Sequence, residues 1–188
     1  MFLFIVRMFG ILFALIAVFF FVGAASAQSG DRDRGIELYR DGKFADAAGL
    51  LEQAVQANPK DREAWLYLGG TYVHSGNDKL ARKAFSKTDK RPREDLVGYD
   101  SLLKITHKPR PSYPRGVHPS QGSAKVTLAI EFLSSGKIGF IRSLDHGGQQ
   151  DFERESKAAA YQIRFSPAIK GGKPITVIQF VEYSFWVQ

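Results

Sequence analysis

From Gly35 to Thr88 the sequence repeats itself at a spacing of 34 residues. Gly35 aligns with Gly69, Leu38 with Tyr72, Gly42 with Gly76, Ala47 with Ala81, Leu51 with Phe85, and Ala54 with Thr88. A fixed period of this length marks one supersecondary unit that cannot bury its apolar face alone and must stack on a copy of itself. The residue sizes fit that demand. Gly35, Gly69, Ala47 and Ala81 let paired helices approach closely, while Leu38, Tyr72, Leu51, Phe85 and Trp65 fill the space between successive pairs. Asn58-Pro59 and the glycines at 42 and 76 break the helices.

The second unit reads Trp65-x-x-Leu68-Gly69-x-x-Tyr72 and then Ala81-x-x-x-Phe85, and the first closes on Pro59. Over about 60 residues, 29–90, this resembles the tetratricopeptide-repeat (TPR) family. The resemblance implies helical hairpins that bind a partner protein along a concave side and perform no chemistry. Glu63, Leu66, Val73 and His74 would face that groove by position. Two units are fewer than the three usually needed for a continuous core, so each end requires a cover. Leu96, Tyr99 and Leu103, at i, i+3 and i+7, predict a capping helix over Glu94 to Leu103, within a capping and linker region at 91–108.

Beyond a basic, proline-marked stretch from Lys87 to Pro114 the hydrophobic period changes from 3.6 to 2. Val126, Leu128, Ile130 and Phe132 alternate with Thr127, Ala129 and Glu131, which predicts a strand with one buried face. Ser134-Ser135-Gly136 is a hairpin turn into a second strand, Lys137 to Ser143. A helix is expected from Asp151 to Arg164, where Phe152, Ser156, Ala159, Ala160 and Ile163 form one stripe with a flat centre. Ser166-Pro167 stops it and Gly171-Gly172 turns the chain. Ile175 to Val187 is a long third strand with broken alternation. Val181, Tyr183, Phe185 and Val187 share one parity, Ile178 and Phe180 the other, and a bulge or strong twist near Phe180 would reconcile them.

Pro111-Ser112-Tyr113-Pro114, the alternating strand, Gly136, Ala159-Ala160, Arg164-Phe165-Ser166-Pro167-Ala168 and Gly172-x-Pro174 together resemble the TonB C-terminal domain. The run Phe152-Glu153-Arg154-Glu155 is similar to the helix start in that family. The match covers about 80 residues, 109–188. It implies a three-stranded antiparallel sheet with helices on one face, so the chain as a whole is expected to be α+β: all-α TPR hairpins followed by a small TonB-like domain. It also implies capture of an extended peptide by strand addition, a mechanism that an unpaired sheet edge supports. The candidate peptide contacts are then Arg110, Tyr113 and Pro114 in the lead-in segment, and Val177, Gln179, Val181, Tyr183 and Phe185 in the third strand. Packing at the start of the domain is the alternative role for Tyr113 and the prolines. The implied partners are envelope proteins, TonB-dependent outer-membrane transporters among them, and the same strand could instead pair with a second copy in a homodimer.

The N-terminus sets the compartment. Met8 to Val22 is an apolar run of 15 residues, followed by Gly23-Ala24-Ala25-Ser26-Ala27, whose small-x-small pattern suits signal peptidase. A signal peptide over 1–27 is expected; counted from Phe2, the same stretch could instead span a bilayer as an uncleaved anchor. Either way the remainder lies outside the cytoplasm, in the periplasm or anchored in the inner membrane and facing it. N-terminal sequencing of the mature protein is expected to start at Gln28, and a start at Met1 would establish the anchor. Retention of the anchor would allow an inner-membrane energy transducer for outer-membrane transport. Transducers of the TonB family carry a serine and a histidine in the membrane helix, yet Met1 to Ala27 has no histidine and only Ser26. Asp89 to Arg110 also reaches only roughly 70 Å when fully extended.

The remaining composition excludes other classes. The formal charge is +7, or +6 once the first 27 residues with their single charge at Arg7 are removed. That favours anionic partners, but export and the lack of aromatics interleaved with Lys87 to Arg93 argue against nucleic acid and for a solvated linker. The absence of cysteine excludes disulfides, thiolate metal sites and thiol nucleophiles. His74, His107, His118 and His146 lack ligand partners at i+4, no G-x-S-x-G elbow occurs, and Glu153 and Glu155 point in different directions. No catalytic residue, metal or cofactor is expected.

Overall fold

The computed structural model describes residues 30–88, 99–115, 124–144 and 150–186. The expected signal segment therefore lies outside the described residues. Four helices come first: α1 at 30–40, α2 Phe44–Ala57, α3 Arg62–His74 and α4 Asp78–Phe85. Then follow β1 Lys104–His107, β2 Ala124–Phe132, β3 Ile138–Ser143, α5 Gln150–Ala160, β4 Arg164–Ser166, β5 Ala168–Lys170, β6 Lys173–Ile175 and β7 Val177–Phe185.

The 34-residue period is visible as repeated contacts. A Cβ on Gly35 would stand 2.9 Å from Cγ of Leu51, and a Cβ on Gly69 would stand 2.5 Å from the Phe85 ring, so each glycine admits the large residue of its own hairpin. Gly42 and Gly76 close α1 and α3 with φ of 77° and 72°, a conformation that costs a residue with a Cβ far more. Each hands over to the next helix through the same bond, Lys43 N–H to the Leu38 carbonyl and Asn77 N–H to the Tyr72 carbonyl. Asp61 caps α3 by accepting from the amides of Glu63 and Ala64 at 3.1 and 3.0 Å, and Asn77 caps α4 by accepting from Leu80.

In the second half, β3, β2 and β7 form an antiparallel sheet in that order. β2 and β7 pair without interruption from Ala124 opposite Phe185 to Phe132 opposite Val177. Helix α5 covers one face, bringing Phe152, Ala159 and Ala160 against Val126, Leu128, Ile130, Phe132, Val181 and Phe185. Two short antiparallel pairs, β1 with β4 and β5 with β6, stand beside this sheet.

Four local expectations need correction, and the first two share a cause. β2 does not have a single buried face: Thr127, Ala129 and Glu131 are as buried as the Leu128 parity. No bulge interrupts β7 at Phe180, where the ladder is regular; the only register shift in this sheet lies between Ile130 and Phe132, against β3. The reason is that the helical repeat covers the second face. Ala129, Phe140, Ile178 and Phe180 belong to the same apolar cluster as Leu51, Leu68 and Phe85, so apolar residues occur on both parities in the first half of β7 because both faces are covered there, while Glu182 and Ser184 further along are exposed. Third, α5 ends at Ala160 rather than Arg164, as the amides of Gln162 and Ile163 turn to the carbonyls of Ala159 and Ala160, after which Arg164–Ser166 leaves as β4 to pair with β1. Fourth, the described part of the expected capping helix, 99–103, is not helical; Tyr99 and Leu103 pack on the second core, and Ser101 forms a β-bridge with Ile169.

Polar groups tie the halves together. Glu131 is 2% exposed and accepts from the Tyr39 hydroxyl, with His74 Nε2 at 3.0 Å. Arg40 donates to the hydroxyls of Tyr99 and Tyr67 at 2.8 and 3.2 Å and to the Thr176 carbonyl at 3.3 Å. Arg142 on β3 meets Asp78 at the start of α4 at 3.3 Å.

The buried phenols make alkaline pH a probe of this packing. Burial raises the Tyr39 phenol well above its usual value, with Glu131 adding to the effect. It also raises Tyr67, against the opposing pull of Arg40, and pushes Tyr183 up to about 12. In the unfolded chain these groups ionise near pH ~10. Stability is therefore fully present below that pH and is lost as pH rises from there through the folded values. Urea midpoints followed by circular dichroism are expected to hold steady to about pH 9.5 and then fall. A flat profile to pH 11.5 would contradict this packing of the phenols.

Candidate peptide-binding edge

β7 ends the sheet. One side is fully paired with β2, and no strand pairs with the other among the described residues. In an antiparallel strand the N–H and C=O of one residue point to the same side, and those of the next residue point to the opposite side. The Thr127 carbonyl accepts from the Leu144 amide and so points toward β3, leaving Leu128 and Ile130 directed at β7. Their partners Val181 and Gln179 thus spend their backbone groups on β2. Ile178, Phe180, Glu182 and Ser184 turn theirs outward. The outward carbonyl of Glu182 confirms this parity, since it accepts from Lys108 Nζ at 2.6 Å.

An open groove of about 1010 Å³ runs along this edge. The lead-in segment, from Ile105 through Lys108, Arg110 and Tyr113, forms its far wall, and Phe180 to Trp186 form the near one. Pro109 and Pro111 have no N–H to donate, which prevents the lead-in segment from completing a regular ladder on β7. Lys108 also lies over the Tyr183 ring, 4.7 Å from its centre. Burial lowers the pKa of its ammonium, while Glu182 acts in the opposite direction. The Glu182 carboxylate is held by Lys125 at 2.6 Å.

The candidate residues separate into two groups. Arg110 is exposed and lines the groove. Tyr113 is half-buried, its ring edge-on to Phe152 and Phe185 at 5.4 and 6.4 Å between centres, and Pro114 is buried. Val177, Val181, Tyr183 and Phe185 are buried toward α5, and Gln179 is half-buried on the same parity. Their side chains support the edge, whereas the backbone groups available to an added strand belong to the intervening residues. The apolar residues Ile178 and Phe180, out of parity with Val181, Tyr183 and Phe185, are the trace in the sequence of a strand covered on two faces over its first half.

The TPR candidates lie elsewhere. Leu66 and Val73 are buried in the first core, and His74 bonds Glu131. The helix surface from which they project faces the sheet of the same chain: a Cβ on Gly70 would meet Cδ1 of Ile178 at 2.4 Å. Glu63 lines a small cleft where α3 meets β7. The expected open groove of the repeat is thus filled from within at Tyr39, Gly70 and His74.

Residues 32–94 match the family model of the tetratricopeptide repeat. The solution NMR structure of the Pseudomonas aeruginosa TonB CTD is similar to part of this chain at 29% identity, covering 47% of this chain and 88% of that one with a TM-score of 0.35. No curated protein matches the chain. Tetratricopeptide repeats are protein-interaction modules and a non-catalytic kind of domain, which points to protein partners in general. Among the described residues no helix is long and apolar enough to cross a membrane.

Proposed function

We propose that this is a non-enzymatic interaction protein of the cell envelope that binds an extended peptide by adding it as a strand to the free edge of β7. The observation that carries this reading is the row of outward backbone groups at Ile178, Phe180, Glu182 and Ser184, unpaired by any described strand and bordered by an open groove. Backbone pairing supplies affinity in such a mode, and pockets for alternate side chains supply selectivity. Lys108 covers one edge carbonyl in the free protein and would be displaced by an incoming strand. Helices α1 and α3 hold the back of the sheet rigid, so the peptide meets a preformed edge. An exported setting, with an outer-membrane transporter as the source of the peptide, fits the leader expected over 1–27.

A chain spanning residues 30–186 can be challenged with a random-octapeptide display library and the enriched peptides resynthesised. Hydrogen exchange should then slow about tenfold or more at Ile178, Phe180, Glu182 and Ser184, with little change at the already paired amides of Gln179 and Val181. Failure to enrich any peptide, or protection confined to the helices, would sink the proposal.

A further inference from the structure

The small cleft at the upper end of the β7 edge belongs to neither half of the protein alone. Arg62, Glu63, Leu66 and Tyr67 of α3 form one wall, Val177 to Phe180 the second, and Leu102 and Leu103 the third. Its volume is about 90 Å³. Leu102, at 44% exposure, is one of the few large apolar side chains left open to solvent among the described residues. The cleft abuts Ile178 and Phe180, whose backbone groups face outward at that end.

A strand added to β7 would lie about 4.8 Å beyond it, with alternate side chains standing on the face of the sheet that the repeat covers. One of those side chains, opposite Ile178 to Phe180, arrives at Leu66, Tyr67 and Leu102. We infer that this cleft is a specificity pocket, built jointly by the helical repeat and the sheet, that accepts a branched aliphatic side chain of the strand-adding peptide. The inference rests on the strand-addition reading above and specifies its ligand. Size decides between apolar side chains: the cleft is smaller than the cavity of about 150 Å³ that holds a benzene ring in a protein core, so leucine, isoleucine or valine fit better than phenylalanine or tryptophan. Direction follows as well. A peptide antiparallel to β7 has its C-terminal end here, because β7 runs from Val177 at this end to Phe185 at the other. The selective residue then stands near the C-terminus of the bound segment. The repeat thereby takes part in peptide selection through the rim of α3, although the sheet fills its inner face.

Two eight-residue peptides test this, alike except for leucine or serine at the seventh position, in an alternating Thr-Val background with blocked ends. Each is titrated to millimolar concentration against the same 30–186 chain, with backbone NMR shifts of Ile178, Phe180, Glu182 and Ser184 as the readout. The leucine peptide is expected to bind about tenfold more tightly, in line with burial of one aliphatic side chain. Leu102→Ser, at an exposed position, should reduce that preference to about twofold without changing the thermal midpoint, and Leu102→Trp, which fills the cleft, should abolish it. Equal binding of both peptides with edge shifts intact, or a preference unmoved by either Leu102 variant, would overturn the pocket while leaving strand addition standing. No edge shift with either peptide would overturn both.

Discussion

Phe85→Ala is expected to cost about 3–5 kcal/mol and to lower the thermal midpoint by roughly 10 °C for a chain of this size. Phe85 is 1% exposed, and its ring fills the space left by Gly69. It also stands 6.3 Å from Phe140 and 6.2 Å from Phe180 between ring centres, across the junction of the repeat and the sheet. Truncation therefore opens a cavity that two modules share, and the whole melting transition should move as one. Tyr161→Ala, at a site with 61% exposure, should stay within about 0.5 kcal/mol. Differential scanning calorimetry distinguishes the outcomes. Two transitions in the variant, with only the first displaced, would mean that the modules melt independently and that the shared cluster contributes little to coupling them.

Gly70→Val is expected to act on the junction more selectively. A Cβ there would lie 2.4 Å from Cδ1 of Ile178 and 2.8 Å from the Tyr39 hydroxyl, and a β-branched side chain has few rotamers with which to escape. Overpacking of this kind costs about 1–3 kcal/mol, and it also pushes α3 away from β7. The Tyr39 and His74 bonds to Glu131 would be stretched, leaving a carboxyl group that is buried and short of partners. Amide exchange should accelerate at Ala129, Glu131 and Gln179, whose amides point into the sheet, and remain unchanged at Ala159 and Ala160 under α5. Gly49→Ala is the matched control: nothing lies within 4 Å of its would-be Cβ, and alanine should stabilise α2 by about 0.5–1 kcal/mol. Normal exchange at the sheet in Gly70→Val would show that the repeat can shift without loosening what it covers.

The helical repeat was the most legible part of the chain because its constraints are local. Gly35 with Leu51 and Gly69 with Phe85 each meet inside one hairpin, and the caps at Asp61 and Asn77 act within three residues. The order of strands and the α5 stripe were also readable, since a period of 2 or 3.6 is itself local information. What the sequence hid was which surfaces meet across a long separation. The pairing of Tyr39 with Glu131 spans 92 residues, and no periodicity announces it. The mixed parity of Ile178 and Phe180 did carry the message, but a strand covered on two faces and a bulged strand covered on one leave the same mark in a short window. The candidate site suffered from the same ambiguity. Val177, Gln179, Val181, Tyr183 and Phe185 all lie on β7, yet which parity turns its backbone outward depends on register with β2, and register is a property of the assembled sheet.

Burial of the sheet on both faces also bears on how the chain can be divided. A fragment cut to begin at 109 would lose β1, the partner of β4, and would bare Ala129, Phe140, Ile178 and Phe180 together with the uncompensated Glu131. Those side chains would form a greasy back directly beside an open strand edge, the combination most prone to sheet-to-sheet aggregation. In the intact chain the helices serve as a built-in escort for that surface.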